Sequence, residues 1–584
     1  MGGIAGIARR EPSGVKSWTL ARMAGAIRHR GPDGFGLYVG ARVGLAHVRL
    51  SVIDLAGGMQ PLANEDGQVI ITYNGEVYNA PELRLVLEAA GHRFRTRCDT
   101  EVLVHAYEEW GTNMLSRLNG QFAFAIYDRR TETVFLARDR FGVRPLFYAA
   151  RDDALYFASE AKALFASTEV CAAADPIGID EAFALWAAQP PRTVFAGVSA
   201  LEPGTFALWS PGGLRVSRYY DLSFQPDEIE PPGAVEELDA LLRRSVALRL
   251  RADVPIAGYR RGDAGSEIAC ALGAAQDTNA FAALSLEREG AAAAIAEVFP
   301  AVVWHAETPL GSTGAARGFL LADHARERGY TVVLTGEGAD HAFLAAPLPR
   351  MQLARGARDF YTTDFTARLG AHDALRSLRE RVDGRLRTLS PVNRAAYLAF
   401  TTLLSPHLLA SESDRAALAH GVEARFPFLD HIVFEFAARL PTASKCRGPD
   451  HGPVLDRWAA RALPGSPRVD AARSTHAPDA ATFEAINSRE YVRDLLTERA
   501  LREGGVFSPA AVHGLLRRIG ERTTLATRER QAFIGLLSHA LWHDAFVAHP
   551  VAPAHLSLAE ADVLIHESSF IVDRRSGGAA GDAS

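Results

Sequence analysis

LNGQFAFAIYD (Leu118–Asp128) and, a few residues on, VFLARDR (Val134–Arg140) are apolar runs of strand length, rich in β-branched and aromatic residues. Upstream, PELRLVLEAAGH (Pro81–His92) and DTEVLVHAYEEWG (Asp99–Gly111) carry helical spacing, and each ends at a glycine. From Gly3 to about Thr205 the chain thus reads as β-rich segments with a few helices between them. Downstream, FQPDEIEPP (Phe224–Pro232) is polar and proline-bearing, as a connection between domains is. AVEELDALLRRSVALRL (Ala234–Leu250) is a strongly amphipathic helix leading into the strand VPIAGY (Val254–Tyr259). The helix GFLLADHARERG (Gly318–Gly329) then precedes the strand segment TVVLTGEGAD (Thr331–Asp340). Strands alternating with helices predict a parallel α/β sheet. Residues 352–542 read mostly as helix, and the tail after Pro550, ending in Gly, Ala and Ser, as frayed. The expected division is 1–205, a linker over 206–232, a second domain over 233–548 and a tail over 549–584.

At 584 residues the chain is too long for one core. With 48% hydrophobic and 23% charged residues it has the composition of a globular protein. A net charge of −6 supplies no basic footprint for nucleic acid. No apolar run approaches the length of a membrane span, and the N-terminus lacks a signal-peptide core, so no membrane partner and a cytoplasmic location are expected. Cys98, Cys171, Cys270 and Cys446 are scattered, without zinc-ligand or disulfide spacing. Lysine is almost absent; beyond Lys162 only Lys445 remains.

Seven stretches of the first half together resemble the class II glutamine amidotransferases, specifically the glutamine-hydrolysing asparagine synthetases. They are GIAGI (Gly3–Ile7), RHRGPDG (Arg28–Gly34), HVRLSVIDL (His47–Leu55), YNGEVYN (Tyr73–Asn79), DTEVL (Asp99–Leu103), LNGQFAFAIYD and RDRFGVRPLFY (Arg138–Tyr148), in the family's order and spacing. The resemblance implies an N-terminal αββα Ntn-type domain with a glutamine pocket. Arg49 would fork onto the substrate carboxylate. Asp99 and Glu76 would accept from its ammonium, while Asn74 and the Gly75 amide would stabilise an oxyanion. The family's nucleophile is a cysteine exposed by removal of the initiator methionine, and here that position is Gly2, which has no nucleophile. Glutaminase activity is therefore expected to be absent, since the remaining groups supply only about 10³–10⁴ over water.

The second half resembles the synthetase domain of the same family at LRADVPIAGY (Leu250–Tyr259), VLTGEGAD (Val333–Asp340) and GVEARFPFLDH (Gly421–His431). That implies an α/β adenine-nucleotide domain using ATP and magnesium. The family's pyrophosphate loop reads Ser-Gly-Gly-Leu-Asp-Ser-Ser; ungapped, this chain has Arg261-Gly262-Asp263-Ala264-Gly265-Ser266-Glu267. Only Gly262 and Ser266 match. The metal-side aspartate has become Gly265, and a side chain at Asp263 stands where backbone must approach phosphate. After Glu337 and Asp340 the acidic residue and double glycine of the family are replaced by His341, Leu344 and Ala345. The family's later lysine and arginine positions fall on Gly452 and Asp456, its catalytic lysine on Ala472 and a phenylalanine on Thr475. The adjacent Arg473 does not replace a lysine. Thr335, Gly336, Glu337 and Asp340 (a weak metal ligand) read either as a weakened nucleotide contact or as a turn kept for backbone shape. LAEADVLIHESSF (Leu558–Phe570) faintly resembles a metallo-hydrolase segment but lacks the ligands a metal requires, and reads as an ordinary strand or helix.

Three functions follow from the residues. The favoured one is a pseudoenzyme of the family that binds glutamine or a related amino acid, as a homodimer or beside an active paralogue. The second is an ATP-dependent amide ligase using ammonia or another amine without glutamine. The third, a complete asparagine synthetase, conflicts with Gly2.

Overall fold

The structure is a computed structural model and describes residues 1–224, 229–277, 281–286, 290–343, 358–445, 453–463, 480–521 and 526–567. Leu344, Ala345, Gly452, Ala472, Arg473 and Thr475 lie outside the described residues.

The first half is built on two stacked sheets. Gly2–Arg9 pairs antiparallel with Val43–Arg49 on one side and Ala154–Ala158 on the other, within a seven-stranded sheet. Val69–Val77, Gly120–Asp128 and Thr133–Arg138 form the centre of a six-stranded antiparallel sheet. The period-2 alternation of strands decides what each side touches. Ile4, Ala8, Val43 and Leu45 meet Ile70, Ala123, Ala125 and Leu136 between the sheets. Their neighbours Ala5, Ile7, Ala46 and Val48 face outward onto Leu20, Met23 and Ala24 of the helix Ser17–Ala26. On the far side, Val69, Ile71 and Tyr73 pack on Leu83, Leu87 and Leu103 of the helices Ala80–Ala89 and Asp99–Trp110. This is the αββα layering expected from the motifs.

Two boundaries differ from those expected. Thr205–Ser210 pairs with Thr133–Arg138 and Gly213–Arg218 pairs with Thr205–Ser210, so the residues expected to begin a linker at 206 extend the second sheet through Arg218. The tail expected to fray instead places Val563–His566 parallel to Gly34–Val39 at the edge of the first sheet. Asp562 accepts from the Phe35 amide at 2.7 Å and Glu567 from the Ala41 amide at 2.6 Å, anchoring both ends of that strand.

The second half contains a four-stranded parallel sheet in the order Ala282–Leu284, Ile256–Tyr259, Val332–Leu334, Glu423–Arg425. Helices Ala234–Arg249, Ala264–Gln276 and Gly314–Glu327 accompany it, and most of the described chain from residue 363 to 548 is helical. Two stretches, Phe400–Asp414 and His543–Ala548, are wound as π-helix. No helix among the described residues is long and apolar enough to cross a membrane.

The halves share an apolar core in which Leu50, Val52, Phe141 and Val143 meet Ile256, Phe400 and Phe434. A buried ionic network also joins them. The RDRFGVRPLFY stretch is a turn organised by Asp139, whose carboxylate accepts from the Phe141, Val143 and Arg144 amides at 3.0 Å each. The turn projects Arg144 across the interface to Asp414 (2.6 Å) and Glu423 (3.0 Å). Arg30 pairs with Glu160 (2.8 Å) and Asp414 (2.9 Å), and Arg425 with Glu423 (3.2 Å) and Glu76 (3.4 Å). Lys162, between Glu160 and Glu307, and Arg415, 3.7 Å from Glu307, complete five basic and five acidic side chains, all buried. Burial works against ionisation of Glu160, yet Lys162, His29 and Arg30 hold its carboxyl well below the usual range. Arg425 and Arg144 likewise hold Glu423 down against burial.

Removing one member leaves its partners buried and unpaired, which costs about 3–5 kcal/mol. Arg144→Met should lower unfolding stability by that amount in urea titrations, whereas Arg243→Ala, in an exposed pair with Asp239, should cost about 0–1 kcal/mol. Because Glu160 and Glu423 titrate below their unfolded value of 4.5, the stability they confer is complete above that pH and is lost as pH falls beneath it. A thermal midpoint that fell no more steeply below pH 4.5 in the parent than in Glu423→Gln would contradict this assignment.

Candidate functional site

The strand that opens the chain puts Gly2 directly opposite Arg49. The Gly2 amide donates to the Asn74 side-chain oxygen at 3.3 Å, and its carbonyl accepts from Arg30 Nε at 3.1 Å. Gly2 has φ +141°, and a Cβ there would stand 1.9 Å from the Val48 carbonyl oxygen. This backbone holds only a glycine. Asn74 keeps its amide nitrogen buried and without a hydrogen-bond partner, so a donor remains beside the position of the missing nucleophile. Gly75 follows at φ +156°.

Arg49 is buried, and its guanidinium donates to the Met59 sulfur at 3.0 Å and the Asp54 carbonyl at 2.9 Å, both uncharged acceptors. Burial lowers its pKa from the ordinary value. Asp99, at the start of the helix Asp99–Trp110, accepts from the Tyr73 hydroxyl at 2.7 Å and the Val77 amide at 2.9 Å. Burial nevertheless pushes its carboxyl up. Glu76 is arranged differently from the expectation. It faces Arg425 of the second half, and burial together with Asp99 and Glu423 raises its carboxyl well above the usual range. A carboxyl so engaged is a poorer acceptor for a substrate ammonium than Asp99. Strand pairing and hydrogen bonds thus join Gly2, Arg49, Asn74 and Gly75, while Asp99 lies near Glu76, which also reaches Arg425 at the domain interface.

Two residues here escaped sequence reasoning. His47 is buried, and burial holds its pKa well below the ordinary value; it shares a strand face with Arg49, a signal available in the two-residue spacing. Cys98, far from the terminus in sequence, sits next to Asp99 and contacts the Thr96 hydroxyl at 2.9 Å. Burial pushes its thiol up to about 11, so it is a poor source of thiolate.

The second set gathers at the ends of the parallel strands. Asp263 caps the helix Ala264–Gln276, its carboxylate accepting from the Ser266 amide at 2.8 Å. The Ser266 hydroxyl donates to the Asp263 carbonyl at 2.9 Å and accepts from the Arg261 amide at 3.1 Å. An internal anion therefore stands at the helix N-terminus, where a phosphate would otherwise bind. Gly262, at φ +83°, turns the chain into this cap. The Arg261 guanidinium is paired with Glu337, whose carboxylate also accepts from the Ser413 hydroxyl at 3.2 Å. Burial raises the Glu337 carboxyl, and Arg261 opposes it. Thr335 donates its amide to the Arg425 carbonyl at 2.9 Å and accepts the Glu337 amide on its hydroxyl at 3.3 Å. A Cβ on Gly336 would meet the Ser266 amide at 2.0 Å, so loop and helix touch backbone to backbone. Asp340 lies one step further, in the short helix Ala339–Phe343. Arg260 pairs with Glu267 at 3.2 Å. The remaining cavity, lined by Tyr259, Arg261, Thr335, Glu337, Glu412 and Ser413 among others, is about 10 Å³, roughly the room of one water molecule. Among the described residues this space is small, and Arg261 and Glu337 in it are paired with each other.

Residues 1–220 match the family described as a glutamine amidotransferase domain, and residues 274–544 the family described as asparagine synthase. Asparagine synthetase [glutamine-hydrolyzing] 1 of Bacillus subtilis is 28% identical over 76% of this chain and 82% of its own. Asparagine synthetase [glutamine-hydrolyzing] 3 of the same organism is 36% identical over 44% of this chain and 42% of its own. A third Bacillus subtilis relative, asparagine synthetase [glutamine-hydrolyzing] 2, is 29% identical over 72% of this chain and 64% of its own. With two stacked sheets carrying the amidotransferase motifs, a parallel sheet carrying those of the synthetase, and matches to both domains in that order, the chain belongs to the asparagine synthetase family.

Proposed function

We propose that this chain is a family member that binds glutamine or a related α-amino acid in its first half and makes no amide bond with its second. The observation that carries the reading is the Asp263 cap: the helix end that would hold pyrophosphate is neutralised by the chain's own carboxylate. Two further features agree with it. Gly2 offers no nucleophile and no room for one, and Arg261 with Glu337 fills the space next to the loop. The pocket in the first half retains what recognition of an amino acid needs. Arg49 has only neutral hydrogen-bond acceptors and is available to a carboxylate; Asp99 is buried against Tyr73 and Val77 for an ammonium; the Asn74 amide nitrogen is left for a side-chain oxygen. Such a protein would act by sensing an amino acid or by pairing with a second copy or an active paralogue. The retained Thr335, Gly336, Glu337 and Asp340 favour the second reading, an amine-using ligase without glutamine.

Calorimetry with glutamine should give saturable binding that Arg49→Ala abolishes, with no release of ammonia. ATP–Mg with ammonia and candidate carboxylic acids should yield no pyrophosphate. Release of pyrophosphate at enzymatic rates establishes the ligase reading in its place. The cap makes a separate test. Asp263→Ala should cost about 0.5–2 kcal/mol of stability as a lost N-cap. The double change Arg261→Ser with Asp263→Gly should turn undetectable pyrophosphate binding into measurable binding; a double variant as inert as the parent removes the cap as the reason for the loss.

A further inference from the structure

We propose that the outer surface of the first half carries a divalent transition-metal site made by His92, His105 and Glu108, outside the amino-acid pocket and unrelated to the magnesium implied by the family. The three come from two segments. His92 lies just beyond the helix Ala80–Ala89, and His105 and Glu108 lie three residues apart on one face of the helix Asp99–Trp110. One ligand atom from each lies within 4.8 Å of the other two. The His92 and His105 rings are 5.0 Å apart between centroids.

The state of His105 points to a cation. Its side chain is 2% exposed, and Nδ1 is bonded to Glu108 at 2.9 Å. Nε2 is buried with no hydrogen-bond partner, and it faces the carboxylates of Glu65 and Glu101 at 3.9 Å each. The ion would sit on the Nδ1 side, where Glu108 and His92 converge, leaving Nε2 to carry its proton toward Glu65 and Glu101 and so hold the ring in place. Glu109 stands 3.2 Å from the second imidazole, that of His92. Four carboxylates therefore surround two imidazoles, and a dication balances that field.

The donor set selects the metal. Two imidazoles and a carboxylate suit zinc and its neighbours and not the oxygen-seeking Mg²⁺ or Ca²⁺. Zinc bonds of about 2.0–2.2 Å place tetrahedral ligands about 3.4 Å apart, so His92 and Glu108 must draw in slightly. Both are only half-buried and free to do so. Glu108 is already oriented, since the Asn64 side-chain amide donates to its other oxygen at 2.7 Å; outer partners of this kind commonly fix metal-binding carboxylates. A bound ion would tie the chain after one helix to the middle of the next, the same helix whose first residue is Asp99.

Zinc titrated calorimetrically into the untagged, chelator-treated full chain should bind at one ion per molecule and raise the thermal midpoint. His92→Ala should abolish both effects without touching the core. Asn64→Ala should weaken binding about 10–100-fold while leaving the ligands in place. Cobalt in place of zinc should give a visible d–d spectrum that His92→Ala removes. Failure of the parent chain to bind overturns the proposal. So does equal binding by His92→Ala and Glu108→Gln, which places the ion elsewhere on the chain. Neither result bears on glutamine binding, which Arg49→Ala reports separately.

Discussion

Arg144 is the residue on which the two halves depend. It stands on a turn that Asp139 holds by three backbone amides, and it delivers its charge to Asp414 and Glu423 of the other half. Placing guanidinium and carboxylates in a dry interface brings little net stabilisation, because desolvation consumes most of the Coulomb gain. What it brings is geometric uniqueness. Other relative placements of the two sheets would strand some of the five basic or five acidic groups without a partner. Motifs such as RDRFGVRPLFY and GVEARFPFLDH are thereby explained without reference to catalysis. Each supplies ions to the joint, and Asp430, at the end of the second, also binds Asn119 of the first half at 3.0 Å.

The same network bears on the pocket. Arg30 joins the Gly2 carbonyl to Glu160 and Asp414, and Arg425 joins Glu76 to Glu423. The backbone carbonyl of Arg425 also accepts from Thr335, at the edge of the second site. The two sites are thus connected through the joint. The joint that holds the domains together uses none of Gly2, Asp263 or Ser266 as an ion, so the residues at the two sites and those of the joint can vary separately.

Much of this was legible in the sequence. The β-rich character of the first half followed from strand-length apolar runs and glycine-ended helices, its αββα layering from the family resemblance, and the parallel sheet from alternating strand and helix. The residues expected in the pocket came from short motifs that resemble the family. What escaped was non-local or double-edged. Glu76 belongs to the pocket motif, yet its partner Arg425 is contributed by the other half, which no local pattern reveals. Asp263 was read as an obstruction to phosphate, and its position just before a helix already marked it as an N-cap, an anion in its own right. The hairpin Thr205–Ser210 with Gly213–Arg218 passed for linker because its second strand is largely exposed and polar at the sheet edge.

The strand Val563–His566 completes the first sheet, but its contact with Phe35 crosses 527 residues of chain. During synthesis the ribosome must therefore add those 527 residues before the edge at Gly34–Val39 is covered. Until then that edge presents unpaired backbone amides and carbonyls to any passing strand. The nascent first half can collapse early, yet its last hydrogen-bonded row waits until Val563–His566 has been made.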